Sequence, residues 1–271
     1  DVAREFDGAA DGRITTTFQP HSLTTVGEEY LREFAPKARD AGLAIHFHAN
    51  ESPGEVEPLV EDHGKRPLEY ADDCGLLTEE TFIAHGTHLD ETEIELLAER
   101  GTGVAHNPAA NTKLASGIAP VAALREAGVT VGIGTDGPAS NNDLSPFDDV
   151  RDAAMIGKLG ADDPSAIPAD AAVEMATRGG ADLLGIDSGR VEAGANADLI
   201  VVDLEKPHLT PVHDLVSHLA YATNGADVRH TVCDGRVLMR DREVLTLDEK
   251  RVIERASEHA HDLVARAEAD D

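Results

Sequence analysis

Three apolar runs in this sequence end on residues that can bind a metal or move a proton. TFIAH closes on His85, GVAH on His106 and VTVGIGTD on Asp136. Upstream, ITTTF runs into Gln19-Pro20-His21, and GLAIHFHANE carries His46, His48 and Glu51. A mononuclear hydrolytic site requires nitrogen and oxygen ligands around a divalent metal with one position left for water. It also requires a group placed to carry protons. Taken singly, a histidine near a strand end is more often structural than a ligand, and an Asp before Gly is often a turn former. The ordered set His48, Glu51, His85 and Asp136 reads instead as a site.

Elements able to position these residues are visible around them. ETEIELLAERG and APVAALREAG are helix-like and each closes on a glycine suited to a C-cap, as does EEYLREFAPKARDAG further upstream. The order strand, reactive residue, loop, helix is that of a parallel α/β barrel, whose active site is built from the C-terminal ends of several strands. Between His21, His48, His85, His106 and Asp136 the spacings are 27, 37, 21 and 30 residues. Each accommodates one strand–helix unit of roughly 20 to 40 residues. Five units therefore fit where a closed barrel needs eight. His46 and His48, two apart on one strand, point to the same side.

The run from His85 to Asp143 resembles the amidohydrolase superfamily, in its cytosine deaminase and triazine hydrolase branch. HNPAANTKLASGIAPV and GIGTDGPASNND are similar to the 5-methylthioadenosine/S-adenosylhomocysteine deaminases. The likeness extends through PHSLTT, HFHANE and GKRPLEY to GANADLIVVD, over nearly the whole chain. It implies an α/β fold: strands 4 to 8 of a metal-dependent hydrolase (β/α)8 barrel, with the C-terminal part of a small β-sandwich. His46-x-His48 could instead be the first-strand metal pair of that superfamily. Three observations oppose it: Glu51 completes the fifth-strand pattern H-x-x-E, a full unit precedes the strand, and four units follow it where seven would be needed.

The resemblance implies a metal-dependent hydrolytic deaminase acting on an adenosine derivative such as 5-methylthioadenosine or S-adenosylhomocysteine. The nucleophile would be hydroxide on one divalent metal ion, Zn²⁺ foremost, with Fe²⁺ or Mn²⁺ as alternatives. His48 and Asp136 are the implied metal ligands, and the other two would come from a first-strand H-x-H that these 271 residues do not contain. Glu51 would shuttle the proton, His85 would hold the attacking water and the tetrahedral centre, and Asp136 would also accept the water's proton. Substrate contacts would come from His21, Glu51 and His85. His106 is open between an anchor for a turn and a functional group. Ser140, Asn141 and Asn142 are expected to shape a loop, His88 to be structural, and His63, Lys65 and Arg66 to be solvated. Alternatives are a triazine chlorohydrolase, a guanine or cytosine deaminase, or a truncated, inactive barrel. The chain by itself is expected to be inactive.

Composition limits the partners. The chain holds 52 Asp and Glu against 23 Lys and Arg, a formal net charge of −29. The acids are spread along its length, so a disordered acidic tail is a poor description. Such a surface repels nucleic acid and anionic membranes and reads as that of a halophile's protein, kept folded by screening ions. The expected partners are a small-molecule substrate and further copies of the chain. Cys74 and Cys233 form no C-x-x-C. Without a signal peptide or an apolar run of about 18 residues, the expected location is cytoplasmic.

Three segments are expected: 1–188 as barrel, 189–247 as sandwich, and 248–271 as a terminal helix and tail. Asp1 opens what reads as the tail of a helix, the C-terminal part of something longer. PADAAVEMATRGGADLLG reads as one amphipathic helix. ADLIVVD reads as a strand, and VRHTVCDGRVLMRDREVLT as strands turning at Asp234-Gly235 and again near Asp241. His259 and His261 sit two apart on the terminal helix and so face apart, as surface residues.

Overall fold

Five parallel strands lie in chain order across one sheet: β1 (Thr17–Phe18), β2 (Ala44–Ala49), β3 (Thr81–His85), β4 (Gly103–His106) and β5 (Val131–Ile133). The structure is a computed structural model and describes residues 2–270. Short helices α1 (Val2–Phe6) and α2 (Ala9–Gly12) precede β1, and α3 (Glu28–Asp40) joins β1 to β2. Helices α4 (Pro53–His63) and α5 (Pro67–Asp73) lead to β3, and α6 (Glu91–Arg100) to β4. Then α7 (Pro108–Lys113) and α8 (Val121–Glu126) lead to β5, which is followed by α9 (Pro138–Asn141), α10 (Pro146–Ala161), α11 (Ala169–Glu174) and α12 (Gly180–Leu184). With α13 (Leu215–Tyr221), these elements form one compact unit, Asp1–Arg190 with Pro211–Gly225.

Alternation along β2 sorts its side chains. Ile45, Phe47 and Ala49 are buried in one core cluster with Ile83, Val104 and Val131 from the next three strands. Leu31, Ala35 and Ala38, at helical spacing on α3, and Leu97 on α6 belong to the same core. His46 and His48 project from the opposite face, in register with Phe82 and Ala84. β1 keeps only the last two residues of ITTTF, since Thr16 gives its N–H to Asp7 Oδ1 at 2.8 Å instead of to the ladder, and beyond Phe18 Pro20 offers no N–H. Pairing resumes at a single bridge, Ser22 with His48.

Past β5 the single expected helix is broken. Met175–Gly179 forms a π-helical turn between α11 and α12. Its cause lies in the approach to the sheet: a Cβ on Gly179 would meet the Val131 carbonyl at 2.2 Å, so the segment packs backbone to backbone. Leu183 then lies where Gly103 and Gly132 leave room, its methyl carbons 2.1 and 2.7 Å from where their Cβ atoms would be.

The second unit, Val191–Thr210 with Ala226–Asp271, carries an antiparallel sheet in the order β6 (Leu199–Val202), β7 (Val228–Cys233), β8 (Arg236–Arg240) and β9 (Glu243–Val244). Asp234 and Gly235 both have positive φ, 49° and 70°, as the tight hairpin requires. Asp241 and Arg242 repeat the conformation and open the short β9. The segment expected as 189–247 is thus divided, since Pro211–Gly225 belongs to the first unit. Helix α14 (Glu249–Asp270) carries His259 and His261, both exposed. No helix among the described residues is long and apolar enough to cross a membrane.

Candidate active site

Three of the five strands end on residues that break out of the extended conformation. Asn50 after β2 has φ 55°, His85 at the end of β3 has φ 75° and Asp136 beyond β5 has φ 58°. Left-handed backbone in non-glycine residues costs of order 1–3 kcal/mol and concentrates at functional sites. Its effect is visible at His85, which pairs with the core-facing Ala49 yet carries its ring 5.4 Å from that of His48.

His21, His48, Glu51, His85 and Asp136 line one cavity of about 390 Å³, together with Ser22, Thr24, Thr25, Ser52, Gly54, Glu55 and Ser140. His48 Nδ1 lies 2.6 Å from the His21 carbonyl oxygen. A carbonyl can only accept, so Nδ1 carries a proton, and in the neutral ring the lone pair is on Nε2. His85 Nδ1 sits 2.8 Å from Asn111 Oδ1, and its Nε2 lies 3.8 Å from Glu51 Oε2. Asp136 accepts the Gly137 N–H through Oδ1 at 2.7 Å. The rings of His21 and His48 are 4.8 Å apart. His46 and His106 do not line this cavity: His46 stacks on Phe82 at 4.4 Å, and burial lowers its pKa to about 4.

Several residues that hold the site were not singled out by sequence. Glu93, wholly buried, accepts from Asn50 Nδ2 at 2.9 Å, from Leu68 N at 3.0 Å, and from Arg66 Nε and Nη2 at 3.0 and 2.8 Å. Arg66 also donates to the His88 carbonyl and pairs with Asp90 at 2.7 Å. The expectation that Arg66 is a solvated loop residue is therefore corrected: it neutralises a buried carboxylate. His63 is exposed, its ring tilted against that of Tyr70 at 4.4 Å, and Lys65 pairs with Asp73 at the surface, as expected of solvated residues. Thr87 Oγ1 donates to the carbonyls of Asn50 and Glu51, at 3.0 and 2.6 Å, tying the end of β2 to that of β3. His88 Nε2 donates to the Ser116 carbonyl at 2.7 Å, the structural role expected of it.

A second set of bonds ties the loops after β4 and β5. Asn107 Nδ2 donates to the Gly134 carbonyl at 3.1 Å, and Asn141 Nδ2 to that of Thr135 at 2.8 Å. Buried Asp149 accepts from Ala109 N at 3.3 Å and Asn141 Nδ2 at 3.4 Å, and burial pushes its carboxyl up to about 6. Asn141 thus shapes its loop, and Asn142, with φ 73°, caps α9.

His106 is 2% exposed, and neither ring nitrogen has a hydrogen-bond partner. Burial, then the nearby His85, lowers its pKa to about 4 from an ordinary 6.5. The folded state therefore holds it neutral while the unfolded chain takes up a proton below pH 6.5. Its contribution is fully present above that value and is lost as pH falls toward 4. From pH 7 to 5 the loss should reach about 2 kcal/mol. Denaturation midpoints at the two pH values should separate less in His106→Asn than in the parent chain. An equal separation would show that His106 does not titrate on unfolding.

The donors fit a divalent metal. His48 has its Nδ1–H held by a carbonyl, as is usual for metal-ligating histidines, which in the neutral ring leaves Nε2 free to ligate, and Asp136 lines the same cavity. No group of three or more His, Cys, Asp or Glu among the described residues is arranged to hold an ion.

Comparison with known proteins gives a consistent result. The model of the amidohydrolase family matches residues 1–238. A 5-methylthioadenosine/S-adenosylhomocysteine deaminase of Haloarcula marismortui is 70% identical over 267 residues, 98% of this chain and 62% of that protein. A 5′-deoxyadenosine deaminase of Methanosarcina acetivorans is 45% identical over 266 residues, with the same two coverages. An adenosine deaminase from Xanthomonas campestris, solved with bound zinc, superposes with a TM-score of 0.93 at 36% identity, over 96% of this chain and 60% of that one. The chain thus spans about three-fifths of the length of the proteins it matches.

Proposed function

Since the chain belongs to the amidohydrolase family, we propose that the protein is a metal-dependent aminohydrolase acting on adenosine derivatives modified at the 5′ position. 5-Methylthioadenosine and S-adenosylhomocysteine are the foremost substrates. The observation carrying this reading is the convergence of His21, His48, Glu51, His85 and Asp136 on one cavity. In this reading the five parallel strands are the fourth to eighth of a (β/α)8 barrel, and the antiparallel sheet of the second unit is part of a β-sandwich. The two metal donors that complete the site come from outside these residues.

His48 Nε2 and the Asp136 carboxylate would hold one divalent ion, zinc foremost, which when bound lowers the pKa of water toward ~7 and so supplies the nucleophile. The chain's own groups carry the rest. Glu51 gives a proton to the ring nitrogen next to the amino-bearing carbon while water adds to that carbon. Asp136 takes the water's proton. His85, whose Nδ1–H is held by Asn111 Oδ1, keeps Nε2 directed at Glu51 and accepts a hydrogen bond from the attacking water and the hydroxyl of the tetrahedral centre. Asp136 then gives that proton to the amino group, the carbon–nitrogen bond breaks and ammonia leaves, while the hydroxyl proton returns to Glu51 and the ring keeps the oxygen as the inosine analogue. His21, beside His48 and hydrogen-bonded through Nδ1 to Thr25 at 3.2 Å, contacts the substrate.

The test is direct. A polypeptide carrying this chain at the full length of its relatives, loaded with zinc, should release ammonia from 5′-methylthioadenosine with the fall in absorbance that accompanies conversion to the inosine form. Failure to deaminate any 5′-modified adenosine, with hydrolysis of a chlorotriazine instead, would transfer the protein to the triazine branch.

A further inference from the structure

Glu51 is gripped at three points by three different segments. Thr87 Oγ1 binds its carbonyl oxygen at 2.6 Å, Ser116 Oγ approaches its Oε1 at 3.4 Å, and Glu55 Oε2 accepts its backbone N–H at 2.8 Å. Glu55 stands apart because it is itself an ionisable group in the wall of the cavity, only 8% exposed. Burial raises its pKa, which marks the desolvation a carboxylate suffers there.

A plainer role would be helix capping. Glu55 is the third residue of α4, after the N-cap Ser52, and a glutamate at that position commonly binds the N-cap N–H. Helix α6 does so: Glu93 accepts from the N–H of its own N-cap, Asp90. In α4 the carboxylate passes over Ser52 and takes the N–H of Glu51, one residue before the cap. That peptide directly follows Asn50, where the left-handed turn redirects the chain off β2. The strong bond of a charged acceptor is thus spent on the residue whose side chain must be aimed.

We propose that Glu55 is a positioning residue for Glu51, fixing the peptide from which the proton-carrying side chain extends into the cavity. This rests on the role assigned to Glu51 above. A displaced catalytic group can lose about 10²-fold in rate without any change at the reacting atoms.

The experiment uses the zinc-loaded, full-length protein and the ammonia-release assay. Glu55→Leu should lower kcat by about 10²-fold, leave KM within about twofold, and leave bound zinc unchanged. Glu55→Gln, whose amide oxygen can accept the same N–H, should recover most of that loss. The double variant E51Q/E55L should be no slower than E51Q, because Glu55 acts through Glu51. If E55L does not fold, E55D retains the charge while withdrawing it by one methylene, and should show the same loss in kcat. The proposal is overturned if kcat stays within about threefold in the variant that folds, if the loss falls on KM, or if the two losses multiply in the double variant. A fully active E51Q would instead overturn the reading of Glu51 itself, and needs no Glu55 variant to be seen.

Discussion

Asp136→Ala, made in the full-length protein, is expected to lose bound metal and activity together. Stoichiometry measured by elemental analysis after dialysis should drop from near one ion per chain toward none. The rate should fall by at least about three orders of magnitude, since water is not ionised at neutral pH without the ion. Asp136 is the carboxylate that β5 delivers to the cavity, and its Oδ1 is already engaged by Gly137 N–H at 2.7 Å. That bond fixes the carboxylate plane and, on the proposed function, would leave Oδ2 for the ion. Asp136→Asn separates the two functions, because it can retain the bond to Gly137 but removes the charge. It should keep the fold and still bind metal weakly. One tightly held equivalent of metal in Asp136→Ala would show that Asp136 is not a ligand.

The parts of this site that were legible in the sequence are those in which chemistry and strand periodicity coincide. His21, His48, Glu51, His85 and Asp136 could be marked because each follows a short apolar run, and a parallel sheet brings such run ends to one edge. Their supports were not legible. Asn50 and Glu93 are 43 residues apart, Arg66 and Glu93 27, and His85 and Asn111 26. In sequence, Glu93 is one more acid on an amphipathic helix in a chain of 52 acidic residues, and Arg66 is a charged residue in a polar loop. Nothing in hydrophobic periodicity says which of so many charges is buried. A capping box was the one available signal, since Asp90-x-x-Glu93 has its form, but that pattern predicts a helix start and says nothing of Asn50. The broken helix at Met175–Gly179 was hidden for a similar reason. Its apolar pattern reads as one amphipathic helix, and the distortion comes from the contact of Gly179 with β5, which is a tertiary matter.

On the proposed mechanism, the acid should be separable from the metal by mutation. Glu51→Gln is expected to keep its metal and lose most of its rate, by roughly 10² to 10⁴, the usual contribution of general acid–base catalysis. Glu51 lies three residues beyond His48, past the turn at Asn50, and its carboxylate faces His85 Nε2 at 3.8 Å. It can thus reach a substrate above the His48 ring without ligating the ion. Glutamine preserves the side chain's size and can still accept from Ser116, while the backbone contacts with Glu55 and Thr87 do not involve the side chain at all. Metal content, melting temperature and KM should therefore stay near those of the parent, and the loss should appear in kcat. The contrast with Asp136→Ala is the informative part: one variant loses rate with metal retained, the other loses both. A Glu51→Gln enzyme of near-full activity would place proton delivery elsewhere in the cavity, and loss of its metal would place Glu51 among the ligands.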